Sequence, residues 1–282
     1  MPDPADPTDQ TNAADLFERY AADRRGVIPA GFRLEVRRCL SRLIALVHGD
    51  HGLVHFVKML ADDDDAAIEK QITTELQFFA SLGQPFEWKR YGLDQPTDLP
   101  ERLLRRGFVA DESEAFMVLP LSSVEANLIT RLPVPPDITI RRVGANAGVD
   151  IDPDEGLRSI VALQQQVWSQ PLNGLLTRLQ AAQTDPATVH DFYLAFAGDT
   201  PVGSGWLERP QGSAFADLHG GALLPAWRGR GIYSALLAAR VRSALAAGVE
   251  YLCVDAAPLS RPILQRKGFR FVCETTPFRS PR

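Results

Sequence analysis

The residues best placed to do chemistry lie in LLPAWRGRGIYSALLAARVRSALAAGVEYLCVDA, residues 223–256. An apolar run meets a proline, then Arg228-Gly229-Arg230-Gly231. A helical pattern follows, with Ile232, Leu236, Leu237, Val241 and Leu245 on one face and Gly248 as its stop. The first amide hydrogens of a helix have no partner within it and carry the positive end of its dipole. Gly229 and Gly231 remove side chains that would keep a phosphate away from those amides, and Arg228 and Arg230 add positive charge there. The stretch is suited to a phosphate or pyrophosphate. Upstream, Asp217 and His219 share one face of a strand-like run, and Glu208 ends the run before it. Each is a candidate general base, and histidine is the side chain that changes charge most readily near neutral pH.

Three phosphate-binding patterns compete for the glycines. The GxxxxGK[ST] loop fails, because no Lys-Ser or Lys-Thr follows them. The dinucleotide pattern GxGxxG fits Gly229 and Gly231, with Asp255 ending the next strand. Its third glycine is replaced by Ser234, and too little chain follows for a doubly wound sheet. The third pattern, [Q/R]xxGx[G/A], is matched by Arg228 to Tyr233 at all but its last position.

On this loop, and on ILQRKGF at residues 263–269, the region from Ile138 to Phe278 resembles the GNAT superfamily of N-acetyltransferases. The resemblance implies acetyl-CoA as co-substrate, no metal, and direct attack of an amine on the thioester. It implies backbone contacts to the pantetheine arm from Ala222, Leu223 and Leu224. The pyrophosphate would be held by Arg228, Gly229, Arg230, Gly231, Ile232, Tyr233 and Ser234. His219, Asp217 and Glu208 are the candidate bases. Many members of the family carry a tyrosine acid where this chain has Leu264, which leaves water or Tyr233 to protonate the leaving thiolate. The acceptor would be a small-molecule or protein amine.

Around this site the chain alternates helical and strand patterns. Helices are predicted over residues 14–24, 65–82, 99–106, 157–168, 175–182, 231–247 and 260–267. Strands are predicted over 43–47, 53–59, 86–91, 115–121, 138–143, 192–197, 202–208, 214–224, 251–255 and 269–276. Residues 1–12 read as an acidic, disordered tail. RLPVPP at 131–136 reads as a linker, because prolines favour an extended path. Segments 103–119 and 263–278 share a design: short helix, basic pair, Gly-Phe, strand. This faint repeat, together with the resemblance, implies an α/β (α+β) chain of two tandem GNAT-like domains, 13–130 and 137–282. Each would be a mixed, mostly antiparallel sheet flanked by helices, with strands 4 and 5 splayed in the second. At the junction matching the Arg-Gly loop, the first half has Asp62, Asp63, Asp64 and Asp65. These suit a helix N-terminus and repel a pyrophosphate, so the first copy is expected to be degenerate.

The bulk numbers set outer bounds. With 282 residues and 45% hydrophobic content, each half can build a core. A formal net charge of −5 argues against nucleic acid as the partner. The three cysteines, Cys39, Cys253 and Cys273, form no CxxC pair, which excludes a disulfide framework or zinc site and fits the cytoplasm. No apolar run reaches the roughly 18 residues of a membrane span. Cys253 is expected to be a small buried hydrophobe. Trp168 and Trp206 are expected either to line an acceptor pocket or to pack in the core. Asp255 either attracts a cationic acceptor or caps the following helix. Two rival functions remain open: a coenzyme-binding sensor that has lost its chemistry, and a nicotinamide dinucleotide binder using Gly229, Gly231 and Asp255.

Overall fold

The computed structural model describes residues 7–24, 33–39, 41–48, 51–57, 65–144 and 151–281. The first part of the chain forms α1 (Pro7–Arg24), β1 (Arg33–Cys39), β2 (Ser41–His48), β3 (His51–Val57), α2 (Asp65–Ser81), β4 (Phe86–Tyr91), α3 (Leu99–Arg105), β5 (Val109–Ala110), β6 (Glu114–Pro120) and α4 (Val124–Thr130). The rest forms β7 (Ile138–Val143), α5 (Pro153–Trp168), α6 (Leu175–Gln183), β8 (Thr188–Ala197), β9 (Thr200–Pro210), β10 (Phe215–Leu223), α7 (Ile232–Ala246), β11 (Tyr251–Ala256), α8 (Arg261–Gln265) and β12 (Arg270–Arg279). Helix α1 begins at Pro7, so residues 7–12 are helical where a disordered tail is expected. Proline suits a first helical turn, where its missing N–H would have had no partner. Residues 1–6 and Asp62, Asp63 and Asp64 lie outside the described residues.

The chain packs as two units. One comprises Met1–Met117, Asp255–Pro262 and Arg270–Arg282; the other comprises Val118–Val254 and Ile263–Phe269. The units therefore interleave along the sequence. In the first, the strand order is β1-β2-β3-β4-β12, with β5 also on β12. β1, β2 and β3 are antiparallel neighbours. β3 and β4 are parallel, as they must be when α2 forms the crossover between them. β12 runs antiparallel to β4, from Thr275↔Tyr91 to Arg279↔Glu87. Alternation of buried and part-buried residues along β4 and the helical spacing of Ile68, Ile72 and Phe79 build one core. It joins Val54, Phe86, Trp88, Leu99, Leu103, Phe108 and Phe278.

In the second unit, β11-β10-β9-β8-β7 are neighbours. β7 to β10 form an antiparallel meander, and α7 crosses over to set β11 parallel to β10. Leu223, Ile232, Leu236 and Ala239 pack with Ile138, Tyr193, Ala195 and Val202. Residues 118–130 belong here: the Leu121 amide donates to the Glu250 carbonyl at 2.8 Å, and Arg242 donates to the Thr130 carbonyl at 2.8 Å.

The sequence repeat is matched in backbone detail. Gly107 and Gly268, after α3 and α8, have φ of +85° and +86°. Their amides donate to Leu104 and Gln265, while Phe108 and Phe269 donate to Leu103 and Leu264. This is one helix-ending motif used twice, and it buries both phenylalanines.

Candidate active site

The loop at the mouth of α7 is built from the end of β10. After Leu223 the chain makes a single turn of 3₁₀ helix, Pro225–Trp227, before Arg228 and Gly229. Gly229 and Gly231 have φ of +75° and +81°, values that L side chains rarely adopt. Gly231 caps α7 without any side-chain hydrogen bond. The first bond within the helix runs from the Ala235 amide to the Gly231 carbonyl, at 3.1 Å. The amides of Ile232, Tyr233 and Ser234 precede it and have no acceptor within the helix. Arg228, Gly229, Arg230 and Gly231 are exposed. The Arg230 guanidinium lies 4.7 Å from the centre of the Trp227 ring, and Arg228 Nε donates to the Leu223 carbonyl at 3.3 Å. Two cations and a set of uncapped amides therefore share one solvent-facing turn.

Strands β10 and β11 pair only over Phe215↔Tyr251, Ala216↔Leu252 and Asp217↔Cys253. Beyond Asp217, β10 runs on to Leu223 with β9 as its partner. A bulge explains the divergence: His219 faces Trp206 and Ala222 faces Ser204, so Gly220 and Gly221 oppose Gly205 alone. Gly220 has φ +58°, and a Cβ there would fall 1.7 Å from Trp206 Cζ3. Gln164 of α5 holds the bulge, donating to the Gly220 carbonyl at 2.7 Å and to Ser204 Oγ at 2.9 Å. On the opposite face Arg240, 2% exposed, reaches the His219 carbonyl at 3.5 Å. Its Nη2 has no hydrogen-bond partner, and burial lowers its pKa while Tyr233 and Tyr193 oppose that shift.

The expected backbone contacts separate into two groups. The Leu224 amide already donates to the Val202 carbonyl at 3.0 Å. Alternation along an antiparallel ladder then turns Ala222 toward β9 and Leu223 toward the free edge. Tyr233 packs beneath the bulge; a Cβ on Gly221 would meet its Cε2 at 3.2 Å. Burial raises the Tyr233 pKa, against the opposing charge of Arg240, so its phenol keeps its proton.

The three candidate bases stand together. Asp217 is buried, opposite Glu208 on one side and Cys253 on the other. Glu208 Oε2 lies 3.6 Å from His219 Nε2, and the His219 side chain is 43% exposed. The Trp206 and His219 rings stack at 6.1 Å. The same Oε2 lies 3.4 Å from Nε2 of His190, whose side chain is only 3% exposed. His190 and Gln164 escape the sequence reading. The strand predicted from Phe192 begins four residues earlier, and its alternation carried back would have set His190 beside Glu208.

Other expected residues fall elsewhere. Trp168 is 56% exposed, its indole N–H donating to Gln164 Oε1 at 2.9 Å, and Trp206 is part-buried; neither sits in the core. Cys253 is buried and in no disulfide. Leu264 is fully buried. Asp255 is ion-paired with Lys89 and accepts from Thr275 Oγ1 at 3.4 Å. Burial alone would lower the Lys89 pKa, but Asp255, Tyr91 and Glu87 together outweigh it and hold the ammonium charged. Among the described residues no cluster of three or more His, Cys, Asp or Glu is placed to hold a metal, and no helix is long and apolar enough to cross a membrane.

Comparison with known proteins bears on the same half. Residues 157–269 match the family described as "Acetyltransferase (GNAT) family". No curated protein sequence matches the chain. Among solved structures, a GCN5-related N-acetyltransferase from Kribbella flavida is similar with TM-score 0.62 at 14% identity, covering 97% of this chain and 95% of that one. A tandem GNAT protein from the clavulanic acid biosynthesis pathway is similar with TM-score 0.63 at 13% identity, covering 90% and 85%. A GCN5-related N-acetyltransferase from Sphaerobacter thermophilus gives 0.56 at 16%, covering 88% and 75%. The fold is therefore shared with these proteins along most of the chain. The parted strands, the bulge and the uncapped glycine turn all lie within residues 157–269, the stretch that matches the acetyltransferase (GNAT) family model.

Proposed function

We propose that the protein is a cytoplasmic N-acetyltransferase whose C-terminal domain, residues 137–282, moves an acetyl group from acetyl-CoA to an amine by direct attack. The observation that carries this is the mouth of α7, where uncapped amides and two arginines meet at the end of a strand that has parted from its parallel neighbour. The amides of Gly229 to Ser234 hold the pyrophosphate, with Arg228 and Arg230 supplying charge. The pantetheine arm follows the free edge of β10, where Leu223 offers backbone groups between Ala222 and Leu224. This places the thioester beside the Gly220-Gly221 bulge, near His219.

The amine nitrogen forms a bond to the thioester carbon as the carbon–sulfur bond breaks. His219 takes the amine's proton, with Glu208 behind it; Asp217, buried in the ladder, is the less accessible base. Tyr233, kept protonated by burial, donates to the departing thiolate. No covalent enzyme intermediate is needed, and Cys253 has no part. The first copy, residues 13–130, is degenerate: Asp65 opens α2 in an ion pair with Arg102, and the corresponding turn of α7 carries cations instead. The dinucleotide reading loses its acidic residue, because Asp255 is engaged by Lys89. A non-catalytic acyl-CoA sensor is favoured by Leu264 and by the choice among three candidate bases, and slow coenzyme hydrolysis with no accepted amine would support it.

Calorimetric titration of the purified protein with acetyl-CoA, and separately with NADH, tests the reading. Micromolar binding of acetyl-CoA at one site per chain is expected. No binding to folded protein would end the proposal, and a second site per chain would end the degenerate-copy assignment. His219→Ala should depress turnover and leave acetyl-CoA affinity unchanged; normal turnover would remove His219 as the base.

A further inference from the structure

We infer that His190 is a positioning residue for the acyl-transfer base, acting through Glu208; the inference rests on the reading of His219 just given. Register puts one residue from each of three strands in a row: His190 on β8, Glu208 on β9 and Asp217 on β10. His219 shares the Asp217 face of β10, two residues along. One carboxylate oxygen, Glu208 Oε2, thus lies 3.4 Å from His190 Nε2 and 3.6 Å from His219 Nε2. The other groups in the row are Asp217 and Cys253; Asp191 and Arg209 alternate to the opposite face, where they pair with each other and with Arg142.

The environment of His190 sets where its proton goes. Its side chain is 3% exposed, and its ring stacks on Phe192 at 6.0 Å. Its Nδ1 lies 3.2 Å from the Thr188 carbonyl oxygen, an acceptor only, so Nδ1 carries a hydrogen. Its Nε2 faces Glu208. A hydrogen between Nε2 and Oε2, 3.4 Å apart, keeps two acceptors from facing each other. That hydrogen fixes the Glu208 rotamer with the same Oε2 beside His219.

The consequence lies on the exposed imidazole. With Nε2–H turned to Glu208, the lone pair of His219 is on Nδ1, and that atom takes the amine's proton as the C–N bond forms and the C–S bond breaks. The imidazolium then stands beside Glu208 Oε2, two residues along β10 from Asp217. The thiolate takes its proton from Tyr233 or solvent, so charge and protons balance. This is the logic of a base oriented by a carboxylate, with a buried second imidazole locking the carboxylate in place.

The test compares His190→Phe with His190→Gln, since glutamine keeps a donor toward Glu208 and phenylalanine keeps only the bulk. His190→Phe should lower kcat at least tenfold with KM for acetyl-CoA unchanged, and His190→Gln should stay within about threefold of wild type, at matched thermal midpoints. Long-range ¹H–¹⁵N spectra of the ligand-free protein should show His219 as its Nε2–H tautomer in wild type and His190→Gln, and a mixture in His190→Phe. Equal kcat in both variants, or an Nδ1–H tautomer of His219 in wild type, overturns the inference. If wild type binds acetyl-CoA and acylates no amine, the transfer reading fails, while the spectra still decide whether His190 and Glu208 set the His219 tautomer.

Discussion

At the scale of single residues, the coenzyme loop depends on charge and on backbone conformation in separable ways. Arg228 is exposed, and its side chain makes a long hydrogen bond to the Leu223 carbonyl. Arg228→Glu should therefore leave the thermal midpoint unchanged and weaken acetyl-CoA binding by at least about tenfold, or about 1.4 kcal/mol. Calorimetry measures it, and unchanged affinity would detach the loop from the coenzyme. A second titratable residue affects stability. Burial, reinforced by Asp255 and opposed by Lys89, pushes the Glu114 carboxyl up to about 7. A carboxyl raised in the folded state binds protons the unfolded chain has already lost, so its contribution is lost as pH rises from about 4.5 to about 7. Glu114 is partly exposed, so the full shift overstates the cost. Glu114→Gln should stabilise the protein by about 1–2 kcal/mol at pH 8 and by much less at pH 5. Denaturant titrations at the two pH values check the sign, and equal effects would refute it.

At the scale of elements, the bulge in β10 joins the coenzyme edge to the base. A Cβ at Gly220 would fall on Trp206, the ring that stacks on His219, and Gly220 also needs its positive φ. Gly220→Ala should cost about 1 kcal/mol in stability and reduce turnover more than acetyl-CoA affinity. An equal loss in both would mean that the bulge does not position His219. Much of this level was legible in the sequence. β4 and β7 match their predicted spans, and α2 and α7 match to within a residue at either end, because apolar period and terminal glycines act locally. β1 was missed, since arginines and glutamate alternate with its few apolar residues. α4 was missed although Ser123 caps it, accepting from the Ala126 amide at 3.2 Å. His190, Gln164 and Arg240 were not legible as site residues, because strand register sets His190 beside Glu208 and helix packing brings Gln164 to Gly220 from 56 residues away and Arg240 to His219 from 21.

At the scale of the whole molecule, sequence halves and packed units differ. The Gly-Phe repeat was readable because it is written within a few consecutive residues. The exchange of segments was not, since nothing local states which strand β12 will join. Phe278 is 3% exposed in the core of the first unit, with Phe86, Trp88 and Phe108. Phe278→Ala should therefore destabilise that unit by about 3–5 kcal/mol. Hydrogen exchange should show lost protection in β4 and α3 with β8 and β9 unaffected; uniform loss would contradict the division.

That same placement of β12 fixes an order of events during synthesis. The first unit draws a strand and a core phenylalanine from residues 270–279, so its β4 waits without its antiparallel neighbour while the ribosome makes some 180 further residues. At about 5–20 residues per second the wait lasts on the order of ten seconds or more. Throughout it, an unpaired strand edge flanked by Phe86 and Trp88 faces the crowded cell, and it is there, before any coenzyme can bind, that this chain is most exposed to aggregation and most in need of a chaperone.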